Sequence, residues 1–431
     1  MDAVLRFGYD AAGQLARVLA ALAPSGDAKL LRALRGRRGI RARYSAWAAS
    51  GRDTARPLLW MHAPSVGEGL QARPVLQLAR TKRPDAQLAY TFFSPSAAPF
   101  ARGLDVDFTD YLPFDTEGEA EFALTALTPR AVIFSKLDVW PNLARVANQR
   151  EVALGLVSAT MAEGSSRRRG VAARLLTDAY ARLDAIGAID ARDAERLVEL
   201  GVQRDRIVVT GDTRYDQVWA RVHAVDRTGG FVASLASDRP TLVAGSTWPA
   251  DERPLLAAWS RVRLAVPQSR LIIAPHEPTD AHLAPVERWA ASTGLRAARL
   301  GAPNASTADV VVVDRVGVLG DLYALARVAY VGGGFHAAGL HSVLEPAAFG
   351  VPVLFGPRFT NSRDAELLIA AGGGAGEHDA PGLERRLSEW LSDERSRAEA
   401  GQAARALVEQ GLGAAERSWE IVAGLLGSAT R

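Results

Sequence analysis

Residues 58–69 read Leu58-Leu59-Trp60-Met61-His62-Ala63-Pro64-Ser65-Val66-Gly67-Glu68-Gly69. An apolar run without polar alternation is followed by a turn at Pro64 and two glycines, and residues 70–80 then take up a helical spacing. A continuous apolar strand that feeds a helix opens a βαβ unit whose strand is covered on both faces. The same rhythm recurs outward from here. Candidate strands lie at 87–92, 131–134, 152–157, 185–189 and 206–210, and after a gap at 241–245, 270–274, 310–313, 328–331 and 351–355. Strands of this kind, separated by helices, predict parallel sheets, and two series of them predict two doubly wound domains.

A chain of 431 residues is too long for one compact core and suits two domains of about 200 residues each. The strand rhythm breaks over 217–240, which contain Gly229-Gly230 and Pro240. The expected class is α/β, with two Rossmann-like doubly wound domains facing a central cleft. The expected divisions are a basic amphipathic segment at 1–45, a first domain at 46–218, a second at 219–410, and a terminal helix at 411–431, packing back on the first domain. Residues 371–376 (AGGGAG) read as a flexible loop. Ligands in such folds bind beyond the carboxyl ends of the strands.

The chain has no cysteine, which excludes disulfides, thiolate nucleophiles and Cys-ligated zinc. The net charge is +3, but residues 1–50 hold nine Lys/Arg and three acids, a local charge of +6. A basic end on a mildly acidic body points to an anionic partner. No basic strand interleaved with aromatics follows it, so a membrane surface is favoured over nucleic acid, with a solvated helix face as the plain alternative. Arg6, Asp10 and Arg17 interrupt the first apolar stretch, so neither a signal peptide nor a membrane span is expected there. The spacing of Val4, Leu5, Leu15, Val18, Leu19 and Leu22 is that of a helix that lies in an interface or packs on the body.

The strand ends carry the polar residues. Glu68 falls at a helix start, where a carboxylate suits the positive end of the dipole and can serve as a base for a hydroxyl; a plain capping acid fits the spacing equally well. Ser94-Pro95-Ser96 is a second strand-to-loop motif. Ser135-Lys136-Leu137-Asp138-Val139-Trp140-Pro141-Asn142 places Lys136 and Asp138 at the end of a buried strand, either as a polar pair facing the cleft or with Lys136 bridged to another acid. Gly211-Asp212-Thr213-Arg214 offers a guanidinium fork for anionic oxygens, or a solvated turn. In the second half, Gly245-Ser246-Thr247-Trp248, Pro275-His276-Glu277, Val316-Gly317-Val318 and Gly332-Gly333-Gly334-Phe335-His336 end successive strands. Ser342-x-x-Glu345 has capping-box spacing and predicts a helix start; a Glu345 that faces a ligand would leave that box open. Asn361 and Arg363 follow the last strong strand, as cleft residues or a solvated loop.

Taken in order, these motifs resemble the Kdo (3-deoxy-manno-octulosonic acid) transferase family from about residue 30 to 425. Ser65–Glu68, Ser94–Ser96, Tyr111–Asp115, Lys136–Asn142, Gly211–Asp216, Gly245–Thr247 and Gly332–Pro346 carry the likeness. The Ala-Pro-His-Glu and Gly-Asp-Thr-Arg variants are similar to a subgroup associated with Bacteroidetes-like bacteria. The resemblance implies a GT-B fold and an inverting glycosyltransferase that moves Kdo from CMP-Kdo to a lipid A precursor in lipopolysaccharide biosynthesis, at the cytoplasmic face of the bacterial inner membrane. It implies Glu68 as general base, Asp138 and Arg214 as transition-state stabilisers, and Pro275, His276, Val316, Gly317, Val318, Ser342, Val343, Leu344 and Glu345 as the donor site. It implies neither metal nor other cofactor. The chain departs from the family where Asp138 replaces a common Glu, Arg214 a Lys, Val318 a Glu, Ser342 an Asn and Trp248 a His, and where Pro275-His276-Glu277 stands for a motif with an Arg-His pair. A GT-B transferase using a UDP-sugar, like lipid A disaccharide synthase, and a non-catalytic nucleotide- or lipid-binding relative are the alternatives.

Overall fold

The structure, a computed structural model, describes residues 3–22, 28–161 and 170–427. The chain divides into two compact units, residues 1–217 together with 412–431, and residues 218–411. In the first unit, strands β1 (Leu58–His62), β2 (Gln87–Phe92), β3 (Phe108–Tyr111), β4 (Ala131–Ser135), β5 (Ala153–Ala159), β6 (Ala185–Ala188) and β7 (Ile207–Val209) form a parallel sheet in the order β3-β2-β1-β4-β5-β6-β7. In the second, β8 (Thr241–Thr247), β9 (Arg270–Pro275), β10 (Ala297–Arg299), β11 (Val310–Val312), β12 (Val328–Val331), β13 (Val353–Phe355) and β14 (Gly374–Gly376) run parallel in the order β10-β11-β9-β8-β12-β13-β14. The order reverses between β1 and β4 in one sheet and between β8 and β12 in the other. Those two switch points are where a crevice opens at the carboxyl ends of the strands.

The continuous apolar runs have the cause the sequence suggests. Leu58 and Trp60 enter one core with Val132 and Phe134, while Leu59 and Met61 enter another with Ala131 and Ile133, so each strand feeds both faces of its sheet. Leu242, Ala244, Leu271 and Ile273 likewise alternate with Val243, Ile272 and Ala274 in the second unit. Burying each large aliphatic side chain contributes about 2 kcal/mol.

Helices α1 (Ala3–Leu22), α2 (Lys29–Gly36) and α3 (Ile40–Ser50) precede the first sheet, and α4 (Val66–Lys82) follows β1. The C-terminal helix Ala414–Leu426 also belongs to the first unit, where Trp419, Val422 and Leu426 join the core beneath α4 and β1. Two expectations change. Residues 374–376 are not a loop: they form β14, in register with β13 from Val353↔Gly374 to Phe355↔Gly376. The basic N-terminal segment is also partly consumed by the fold. Arg17 and Arg41 pair with Glu119, Arg43 grips Asp110, and buried Arg37 bonds the carbonyls of Ala33, Leu112 and Phe93 under the rings of Phe93, Tyr111 and Phe114.

Candidate active site

In the first unit the two strands that flank the switch point deliver Glu68 and Lys136. Helix α4 begins at Val66, directly beyond β1, and Glu68 lies in its first turn. The Ser65 hydroxyl donates to Oε2 of Glu68 rather than capping a backbone N–H, and Lys136 Nζ stands 3.3 Å from Oε1. The Ser135 hydroxyl donates to the Glu68 carbonyl at 3.1 Å, tying the end of β4 to the start of α4. Lys136 has φ +68°, a left-handed conformation that costs a lysine on the order of 1 kcal/mol, while its N–H stays bonded to the Val157 carbonyl at 2.9 Å. Burial pushes the Glu68 carboxyl up, but the Ser65 hydroxyl and the Lys136 ammonium outweigh it and hold the group below its ordinary value. Glu68 is therefore an ionised, oriented carboxylate at neutral pH.

The loop after Lys136 is fixed from beneath. Trp140 donates its indole N–H to His62 Nε2 at 2.9 Å, and Pro141 opens the helix Pro141–Gln149, whose first N–H groups, of Asn142 and Leu143, donate to buried Asp115. Asp138, between these anchors, stands at a groove of about 300 Å³ walled by Tyr9, Val139, Trp140, Pro141, Leu175 and Leu176. Arg214 turns its fork onto Asp212, with Nε and Nη2 at 2.9 and 2.7 Å from Oδ2. Asp212 also accepts from Gln71, one turn beyond Glu68 on α4, at 3.2 Å, so Arg214 is tied to the helix that carries Glu68. The guanidinium pulls the Asp212 carboxyl down against the rise that burial imposes.

In the second unit buried Asp251 organises the switch point. It accepts from the N–H groups of Trp248, Gly333 and Phe335 and from the Tyr330 hydroxyl, so it pins the loops after β8 and β12 together. Gly332 is required there, because a Cβ would lie 2.2 Å from the Ser246 carbonyl oxygen. Above it Trp248 stacks between His336 and His276, at 4.3 and 4.6 Å, and His276 stacks on His341 at 4.5 Å. The Trp248 indole N–H donates to His341 Nε2 at 3.2 Å, and burial, with His276 beside it, pushes the His341 imidazole down. Among the described residues no group of three His, Asp or Glu side chains could hold a metal ion.

Also in the second unit, Arg221 reaches the Gly317 carbonyl at 3.4 Å and Asp321 at 3.1 Å and lies over Gly320, where a Cβ would stand 2.3 Å from Nε. Glu345 is half-buried and accepts no hydrogen bond among the described residues. Burial raises its carboxyl, Arg221 draws it back down, and Asp321 adds to the rise. Asn361 clamps the backbone of Leu340 through both its amide atoms at 3.1 Å, holding the loop that leads to Ser342.

The family model for 3-deoxy-D-manno-octulosonic-acid transferase (kdotransferase) matches residues 37–217. The 3-deoxy-D-manno-octulosonic acid transferase of Bordetella pertussis is 30% identical over 386 residues, covering 86% of this chain and 87% of that protein. The chain belongs to the Kdo transferase family. The Haemophilus influenzae Kdo transferase is 25% identical, covering 84% of this chain and 86% of that one. Among solved structures, a putative UDP-N-acetylglucosamine 2-epimerase from Listeria monocytogenes shares the fold, with TM-score 0.61, 13% identity and coverage of 85% of this chain and 95% of that one. The expected GT-B class, two doubly wound α/β domains, stands.

Within this Kdo transferase family member the structure joins some of the residues picked out in the sequence and separates others. Lys136 pairs with Glu68, so the salt-bridge reading of that lysine holds and its partner is the candidate base itself. Arg214 is not a solvated turn residue but the gripped first residue of the helix Arg214–Ala224. Gly317 and Glu345 are linked by Arg221, which bonds the Gly317 carbonyl and draws the Glu345 carboxyl down, and which sequence reasoning missed because nothing in its own helical surroundings marks it. His276 meets His341 and Trp248. The capping box does not form. The helix starts at Leu344 with Val343 as its N-cap and without a side-chain cap, so Ser342 lies one residue outside the box and Glu345 stays open. Asn361 and Arg363 divide: Asn361 supports a loop, and Arg363 begins the helix Arg363–Ala370.

Proposed function

We propose that this chain moves Kdo from CMP-Kdo onto a sugar hydroxyl of a lipid A precursor, with inversion. Glu68 takes the hydroxyl proton as the oxygen attacks the anomeric carbon, and the bond from that carbon to the CMP phosphate breaks with its electron pair leaving on CMP. Asp138 and Arg214 stabilise the charge that develops, and the donor is held by Pro275, His276, Val316, Gly317, Val318, Ser342, Val343, Leu344 and Glu345, with Arg221 added to that set. The observation that carries the reading is Glu68 itself: an ionised carboxylate, half-buried, held at both oxygens at the switch point of the first sheet.

The lipid acceptor and the membrane contact are part of the same proposal. The groove beside Asp138 is lined by apolar side chains and suits an acyl-bearing substrate. Phe7, Leu15, Val18 and Leu19 of α1 are exposed, which supports the reading that α1 lies along the membrane surface, and the family resemblance places that surface at the cytoplasmic face. Incubation with CMP-Kdo and a tetra-acylated lipid A precursor, followed by mass spectrometry, is the test. The product gains the mass of at least one Kdo; an unchanged precursor where a known Kdo transferase works would refute the proposal.

A further inference from the structure

We propose that Lys136 is an anion-binding residue that exchanges partners: it holds Glu68 while the site is empty and turns to a substrate carboxylate or phosphate when one arrives, releasing Glu68 to act as base. The inference rests on the transferase reading of Glu68. The ion pair is long, 3.3 Å, and Lys136 is the more exposed partner, with its side chain 39% accessible against 17% for Glu68. A pair of that kind is weak, so trading one anion for another is nearly neutral. The lysine stem is flexible and its ammonium is a compact point charge, while its backbone is held at φ +68° by the loop and the bond to Val157. The side chain can therefore swing while its root stays fixed.

Glu68 does not lose its orientation in the exchange, because the Ser65 hydroxyl still holds Oε2. The groups that face the carboxylate are Ser65 from the start of α4, Lys136 from the end of β4 and the buried Tyr90 hydroxyl from β2, which burial and Glu68 together keep protonated. Removing the lysine leaves burial opposed by the Ser65 hydroxyl and the backbone N–H of Glu68 itself, so the carboxyl becomes a stronger base. Both substrates of the proposed reaction carry anions, a carboxylate and phosphate on the donor and phosphates on the acceptor.

The test compares wild type with Lys136→Asn, which removes the charge and tolerates the left-handed backbone, and Lys136→Arg, which keeps the charge; Lys136→Gln is the second neutral variant should Lys136→Asn fail to fold. Each is assayed with CMP-Kdo and with phosphorylated and phosphate-free lipid A precursors across pH. In Lys136→Asn the acid limb of kcat/KM moves to higher pH, and KM rises about tenfold or more for the substrate whose anion Lys136 takes. A rise confined to the phosphorylated acceptor assigns the acceptor phosphate, and a rise in donor KM assigns the donor. Lys136→Arg restores KM. If wild type transfers Kdo and the neutral variant keeps both its KM values and its acid limb, this inference is overturned and the transferase reading stands. If wild type transfers nothing, both fall.

Discussion

The indole N–H of Trp140 points at Nε2 of His62, 2.9 Å away, and this fixes the protonation of a fully buried histidine. With Nε2 accepting, the ring must carry its proton on Nδ1 and donate it to the Thr91 hydroxyl at 3.0 Å, an oxygen that also accepts from Trp60 at 2.8 Å. A second proton would have to enter at Nε2 against the indole N–H. Burial, reinforced by the charge of Arg37, pushes the imidazole down to about 3.

The sign of the stability effect follows. The unfolded chain protonates this histidine near 6.5 and the folded chain does not, so its contribution is whole above that pH and is lost as the pH falls toward 3. At about pH 5 the loss is about 2 kcal/mol. Urea unfolding of wild type and His62→Gln at about pH 7.5 and about pH 5 reads it as a difference. The stability gap between the two narrows by about 2 kcal/mol on acidification; parallel pH dependences would show that His62 does not titrate as described.

Glu68→Gln removes the proton acceptor while keeping the side chain's length and one oxygen. Transfer falls about a hundredfold or more. CMP affinity, which depends on the second unit in this reading, stays within about twofold. A variant with near-normal turnover would place the base elsewhere. A variant that loses transfer and CMP binding together would point to a structural role.

Glu345 makes a separable prediction because it holds nothing of the fold together through hydrogen bonds among the described residues. Glu345→Gln leaves the thermal midpoint unchanged or slightly raised, since a half-buried charge that burial disfavours has been neutralised. CMP binding weakens about tenfold, the scale of a lost charge-assisted hydrogen bond to a ribose hydroxyl. Thermal shift with CMP and with UDP makes the measurement: CMP raises the midpoint of wild type more than that of the variant, and UDP raises neither. Equal stabilisation by UDP would favour a UDP-sugar donor.

Much of the fold was legible because its central strands are buried on both faces, and Leu58–His62 or Val328–Val331 can hardly be read otherwise. The strands that escaped are β3, β10 and β14, all at sheet edges. Phe108-Thr109-Asp110-Tyr111 buries alternate residues only, and Gly374-Ala375-Gly376 has almost no side chains with which to signal a strand. At the site, the residues at strand ends were legible because polar groups there have no role in the core. What joins them was not. Lys136 needs a left-handed backbone to reach Glu68, Arg221 comes from a distant stretch of sequence, and Ser342 misses its helix by one residue although its spacing to Glu345 is right.

Tyr9 and Asp115 decide how α1 must be read. The Tyr9 hydroxyl donates to the buried Asp115 carboxylate at 2.9 Å, Asp10 accepts from the Glu117 N–H at 2.8 Å, and Arg17 pairs with Glu119 at 3.2 Å, so the helix docks through a polar face. Residues 9, 10, 13 and 17 share that face, and Phe7, Leu15, Val18 and Leu19 lie opposite it and exposed. A helix that packs by its polar side and offers its apolar side outward suits a lipid interface better than a solvated surface. Several basic residues expected to supply the attraction are instead spent inside the unit, on Glu119, Asp110 and backbone carbonyls. Membrane binding should therefore depend more on apolar contact than on charge. Replacing Leu15, Val18 and Leu19 with Ser lowers binding to phosphatidylglycerol-containing vesicles about tenfold or more, at a small cost in thermal stability because these side chains are already exposed. Wild type keeps most of its binding at about 0.5 M salt, where surface charge is screened within about 4 Å. Binding that survives the triple substitution but disappears in salt would return the contact to the remaining arginines.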